Sequence, residues 1–314
     1  MGEGQGGDMD FRAILMGFGF AVLWASAFTS TRMIVLAAPP LTALVIRFGL
    51  SALVAIPLAR AMGQSWRLNR TEWRTVILFG LCQNALYLGF SWVAMQYVEA
   101  SVSAIIASMM PLVVAFLGWL LYGERLRPIA VAGLVAGVAG VTLIMGVRLQ
   151  HGLDVPGVIL CLIGMVALTF ATLAARGAGG SRNMMMLVGL QMAVGAALLL
   201  IPAVLMEWGR PVEWSAGLVW AFAYTVIAPG IGATWLWFRL VNRIGAVRAA
   251  TFHFLSPIFG VGIAAALLGE RFGVSDVIGA LIVAAGILMV QLAKLPAAAP
   301  QPSIPAARAI EGRD

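Results

Sequence analysis

Ten apolar runs of about 20 residues, separated by short turns carrying Arg, Gly or Pro, dominate this chain and leave it few ways to fold. They lie near 12–36, 41–60, 73–96, 100–122, 128–147, 157–176, 184–206, 217–238, 247–268 and 275–293. Hydrocarbon cannot hydrogen-bond a backbone amide, so only helices or a closed barrel can cross it, and barrel strands need roughly 10 residues where these runs have twice that. The reading is an all-α integral membrane protein of ten transmembrane helices. Composition agrees: 61% of residues are hydrophobic and 11% charged, with a mean hydropathy of +0.97, against a charged fraction of roughly 25% in water-soluble domains.

Orientation follows from the loop cations, because positive flanks stay in the cytoplasm. One set of connections holds Arg60, Arg67, Arg70, Arg74, Arg125, Arg127, Arg176, Arg182, Arg239, Arg243 and Arg248, whereas the opposite set holds Arg148, Arg210 and Arg271, with Arg32 ambiguous. Both termini, next to Arg12 and Lys294, fall on the basic side. The net charge of +7 is therefore spread over loops and forms no single basic face for nucleic acid. Residues 1–11 read as a cytoplasmic tail and carry acids where a cleavable signal would carry bases, so no cleavage is expected. Residues 296–314, rich in Pro and Ala, read as a disordered cytoplasmic tail.

The chain also repeats itself. Ala104 through Pro111 and Gly123-Glu124-Arg125 to Gly133 and Gly140 aligns without a gap on Ala250 through Pro257 and Gly269-Glu270-Arg271 to Gly279 and Gly286, a constant shift of 146 positions. Each unit holds five spans, an odd number, so the second copy should enter the membrane from the opposite side. Such inverted repeats are common in secondary carriers, which keep a substrate site between the halves.

These features, proline-centred fourth and ninth spans, Gly-Glu-Arg after each and a Gly-rich last span, resemble the EamA-type transporters of the drug/metabolite transporter superfamily. Trp24, and Arg47 after Pro39-Pro40, also stand where that family commonly has a Trp and an Arg. The short loops and abundant Trp are similar to YddG-like exporters of aromatic and other amino acids. The resemblance implies two EamA-like five-helix repeats, 12–147 and 157–295, forming a basket around a central cavity. It further implies a bacterial inner-membrane protein that works as a monomer, exports amino acids and uses no cofactor.

Candidate cavity residues are polar or aromatic groups within spans, since such groups are costly on a lipid face. In the third span Gln83 or Asn84, Tyr87 and Ser91 recur at spacings of three or four and share one helical face. In the eighth, its repeat-mate, Pro229-Gly230-Ile231-Gly232 removes an amide donor and loosens the backbone, with Tyr224 and Trp235 on nearly one face. The first span offers Trp24 as an aromatic plate and Thr29 and Ser30 as hydroxyls for a zwitterion. Trp92 and Trp237 read equally as interface anchors, and Trp119, Trp208 and Trp214 as anchors.

Arg47 lies well inside a span without an acid at its depth. Either it meets a substrate carboxylate, or it snorkels or bonds helix-end carbonyls. His253, one turn before Pro257 and near Ser256, is either a titrating group or a packed imidazole. Pro111 and Pro257 should bend their spans at matching depths and serve as hinges, as should Pro229. Cys82 and Cys161 show no pairing or metal spacing. Acidic residues stand at span ends, which leaves facilitated movement or coupling through His253. No Walker loop, catalytic triad or zinc-binding His pair occurs. The competing readings are efflux of hydrophobic or cationic drugs, and an intramembrane enzyme using His253 with Ser108 or Ser256.

Overall fold

The structure is a computed structural model that describes residues 11–150, 152, 154–174, 183–244 and 246–293. The proposed tails, except Phe11, and the cations Arg176 and Arg182 lie outside the described residues. Among the described residues, ten helices are long and apolar enough to cross a bilayer: Phe11–Ala37, Pro40–Ala61, Arg70–Ala94, Ala100–Leu121, Pro128–Val147, Val155–Leu173, Met184–Glu207, Ala216–Val241, Ala249–Leu268 and Val274–Ala293. They are numbered here as the first to tenth spans. Their outer surface is what water would reject: Leu53, Val135, Leu205 and Val274 are each at least 65% exposed. Trp208, Trp214 and Trp220 stand out at the ends of the seventh and eighth spans, as interfacial anchors do.

Local chemistry explains the ends. The third span starts at Arg70, three residues before the apolar run, because Asn69 and Glu72 form a reciprocal capping box with both bonds at 2.9 Å. Helix ends on the fourth and ninth spans are twins: Gly123 takes φ 64° and Gly269 φ 66°, a left-handed turn that a side chain disfavours.

The proline breaks fall just ahead of the prolines. The fourth span stops at Ser108, turns at Met109 and restarts at Met110 with Pro111 in its first turn. The ninth tightens into a 3-10 turn over Phe252–Leu255 and restarts at Ser256 with Pro257 in its first turn. First-turn positions suit proline because the amide there has no partner in its own helix.

A second pair of irregularities occurs one span earlier. The third span widens to a π-helix over Gly80–Leu88 and the eighth over Val226–Gly232, starting at equivalent positions of the repeat. Pro229 accounts for the second by removing a donor. The first has no proline and is wedged between the sixth and seventh spans, with the Tyr87 carbonyl 3.0 Å from where a side chain on Gly164 would begin.

The most extensive helix contacts join the fifth span to the tenth and the second to the seventh. At the first of these, side chains on Gly133 and Gly286 would start 2.6 Å from each other's carbonyl oxygens, and Gly140 and Gly279 stand at 2.8 Å in the same way. That reciprocal pattern makes the fifth and tenth spans cross antiparallel, with glycine permitting backbone contact. The second and seventh are antiparallel too: Ile56 meets Gly189 at one end, and Leu41 meets Glu207 at the other.

Candidate functional site

A cavity lies between the first, second, third, seventh and eighth spans. Among the described residues, none of the fourth, fifth, sixth, ninth or tenth spans contributes a lining residue, so those spans act as frame. Of the residues singled out from sequence, Trp24, Arg47, Gln83, Asn84, Tyr87, Ser91 and Pro229 meet here. Thr29, Ser30, Tyr224, Trp235, His253, Ser256, Pro111 and Pro257 do not line it.

The third span supplies the longest wall: Gln83 and Asn84, Tyr87 and Leu88, Ser91 and Trp92, then Met95. Strict four-residue steps drift by about 40° each around a 3.6-residue helix. The wider π turn takes up that drift and keeps the stripe inward. Asn84 is tied in place, its Nδ2 donating to the Gln191 carbonyl at 2.9 Å on the adjoining seventh span.

On the first span the inward face is Trp24, Ala27, Phe28 and Thr31, a regular helical stripe. Thr29 and Ser30 sit around the helix from it. Ser30 instead accepts from the Thr225 hydroxyl at 2.7 Å, holding the first span to the eighth. Thr29 is buried outside the cavity, its hydroxyl without a partner among the described residues.

The eighth span turns Pro229, Gly230 and Thr234 inward, and Tyr224 and Trp235 do not line the cavity. Tyr224 places its hydroxyl 2.7 Å from that of Ser26, and Trp235 stacks 4.6 Å under the Arg239 guanidinium, 44% exposed. The π turn over Val226–Gly232 lies between Tyr224 and Trp235, and its wider winding shifts the phase on which a constant-period reading relies.

His253 belongs to a layer behind the cavity. Its ring lies 5.2 Å from Phe20, 5.9 Å from Trp24 and 5.4 Å from Trp237, so it supports the back of the Trp24 plate as a packed imidazole. Ser256 is buried without a hydrogen-bond partner among the described residues, and Ser108 donates to the Ala104 carbonyl at 2.6 Å. Cys82 and Cys161 are free thiols, and no three His, Cys, Asp or Glu side chains among the described residues cluster as metal ligands.

Arg47 is 8% exposed, with its guanidinium carbon 5.5 Å from the Phe48 ring centre and 5.6 Å from that of Trp92. Its Nε has no hydrogen-bond partner among the described residues. Snorkelling is thus replaced by burial at the cavity wall. Trp92, 1% exposed, is part of that wall and no interface anchor. Sequence reasoning passed over Thr31, Phe48, Gln191, Met192 and Thr234 as cavity residues. Gln191 carried a usable signal, an amide inside an apolar span.

Ten membrane-length helices around an internal cavity fit a multi-pass membrane transporter, and the family match places it in the drug/metabolite superfamily. The chain belongs to the EamA-like transporter family, whose profile matches residues 11–146 and again 155–292. It is 25% identical over 280 residues to YvbV, an uncharacterised transporter of Bacillus subtilis, spanning 88% of this chain and 90% of that protein. It is 33% identical over 138 residues to the aromatic amino acid exporter YddG of Ancylobacter novellus, spanning 43% of this chain and 47% of that protein. A solved crystal structure superposes with a TM-score of 0.63 at 23% identity, covering 90% of this chain and 98% of that one, and shares its fold. Family and relatives alike are transporters, which points away from an intramembrane enzyme.

Proposed function

We propose that this chain is a secondary transporter for amino acids, aromatic and other large neutral ones foremost, moving them out of a bacterial cell by alternating access. The carrying observation is the cavity, which the aromatic rings of Trp24 and Phe28 line together with the amide and hydroxyl side chains of Gln83, Tyr87, Ser91 and Gln191. An apolar side chain stacks on the first set and a polar head bonds to the second. Partial similarity to an aromatic amino acid exporter supports the substrate class.

Alternating access here means rocking of two inverted halves, 12–147 against 157–295. Antiparallel crossing of the repeat-related fifth and tenth spans through Gly133, Gly140, Gly279 and Gly286 supports that inversion. The paired breaks before Pro111 and Pro257, and the paired π turns, are the compliant elements of the motion. The monomer is the working unit in the inner membrane, with both termini cytoplasmic in keeping with the loop cations.

The test is counterflow in sealed proteoliposomes loaded with unlabelled amino acid and given labelled phenylalanine or threonine. Accumulation above protein-free vesicles, with the label chemically unchanged, is expected. No flux for any of the twenty amino acids would overturn the reading.

A further inference from the structure

We propose that the cavity holds a carboxylate-recognition site built on Arg47, so that a substrate must present an anionic head on an apolar body and need not carry an ammonium group. This rests on the transporter reading of the cavity and deepens it.

Among the cavity-lining residues Arg47 alone is charged. It is more than nine-tenths buried, and its Nε is without a hydrogen-bond partner among the described residues. Its guanidinium is fixed by aromatic rings, Phe48 at 5.5 Å and Trp92 at 5.6 Å, which hold a cation without neutralising it. Glu207 and Glu270, at span ends, line no part of the cavity and are committed as caps: Glu207 accepts from Leu41 and Thr42, and Glu270 from Ala100 and Ser101. A guanidinium withdrawn from water is stabilised chiefly by an anion, and its planar fork matches a carboxylate with paired N–H donors.

The converse is as informative. An α-ammonium entering this cavity finds no carboxylate on the wall, only neutral acceptors such as Gln83, Ser91 and Tyr87. Exchanging water for those acceptors gives an ammonium little net gain, and the field of Arg47 opposes it. The site therefore reads the carboxylate. Aromatic or large apolar 2-hydroxy acids fit as amino acids do, while amines of the same shape are rejected.

The experiment is calorimetric titration of the purified full-length chain with phenylalanine, 3-phenyllactate and phenethylamine, run beside proteoliposome counterflow. Expected are affinities for the two acids within about tenfold of each other, no binding of the amine, and a loss of about tenfold or more for both acids in Arg47→Gln with partial retention in Arg47→Lys. Binding of phenethylamine as tight as phenylalanine, absence of binding by both acids, or unchanged acid affinity in Arg47→Gln would overturn the proposal. Should the variants not fold, the three ligands on the unaltered chain decide it. Arg47-dependent binding of 3-phenyllactate with no amino-acid flux sinks the amino-acid transport reading and leaves the carboxylate site standing. Amino-acid flux with unchanged acid affinity in Arg47→Gln does the reverse.

Discussion

The carboxylate of Glu207, at the end of the seventh span, caps the start of the second: it accepts from the Thr42 amide at 2.7 Å and the Thr42 hydroxyl at 2.8 Å. A further bond from the Leu41 amide, at 3.0 Å, completes the cap. Only 5% of Glu207 is exposed, so three donors meet one buried anion at the positive end of a helix that has no side-chain cap of its own. Glu270 does the same for the fourth span through Ala100 and Ser101. These acids fasten neighbouring spans to one another.

Glu207→Ala should therefore destabilise the fold by about 2–4 kcal/mol, since it strands buried donors that a charged acceptor had satisfied. Glu207→Gln, which keeps an acceptor oxygen, should fall between. Thermal unfolding of the detergent-purified variants measures both, and equal stability of Glu207→Ala and the parent would contradict the cap.

At the crossing of the fifth and tenth spans, Gly140→Leu has no room, because its first side-chain atom would lie 2.8 Å from the Gly279 carbonyl. Overpacking of this kind costs about 1–3 kcal/mol or more. Gly146→Leu, with nothing within 4 Å of the added carbon, is the matched control. Yields of monodisperse protein should drop for the first and hold for the second.

Trp24→Ala and Tyr87→Ala should each lower counterflow of phenylalanine by about tenfold, in line with the roughly 1–3 kcal/mol that a stacking or hydrogen-bonding wall group contributes. Trp235→Ala, outside the cavity, should transport nearly as the parent does. The ranking is read from initial rates normalised to folded protein. A loss at Trp235 equal to that at Trp24 would mean the cavity wall is wrongly drawn.

Pro229→Ala restores an amide donor in the π turn over Val226–Gly232 and should favour ordinary α pairing there. The helix beyond would then rotate and carry Thr234 away from the cavity. In a Thr234→Cys background, labelling by a small water-soluble thiol reagent should slow when Pro229→Ala is added, against a Cys82→Ala background that removes a second partly accessible thiol.

The ten helices, and most of their ends, were legible in the one-dimensional pattern, because a hydrocarbon solvent demands a run of apolar residues with internally satisfied amides whatever its neighbours are. The third span's early start was missed only because Asn69 and Glu72 lie outside the apolar run. The Gln83–Ser91 stripe was readable for a similar reason: amides and hydroxyls stand out in an apolar helix. Thr29 and Ser30 stood out equally, yet one is enclosed without a partner among the described residues and the other is consumed by Thr225.

Span number, helical state and the register of the internal match thus belong to the chain before it folds, being consequences of hydropathy and of local backbone chemistry. Which side of each helix turns inward does not. Spans apolar all around carry little contrast between faces, and a π turn shifts the phase of everything beyond it, as at Tyr224 and Trp235. Packing of the seventh span on the third and of the eighth on the first set those rotations. Only then did Arg47, Trp92 and Gln191, far apart along the chain, come to share one wall.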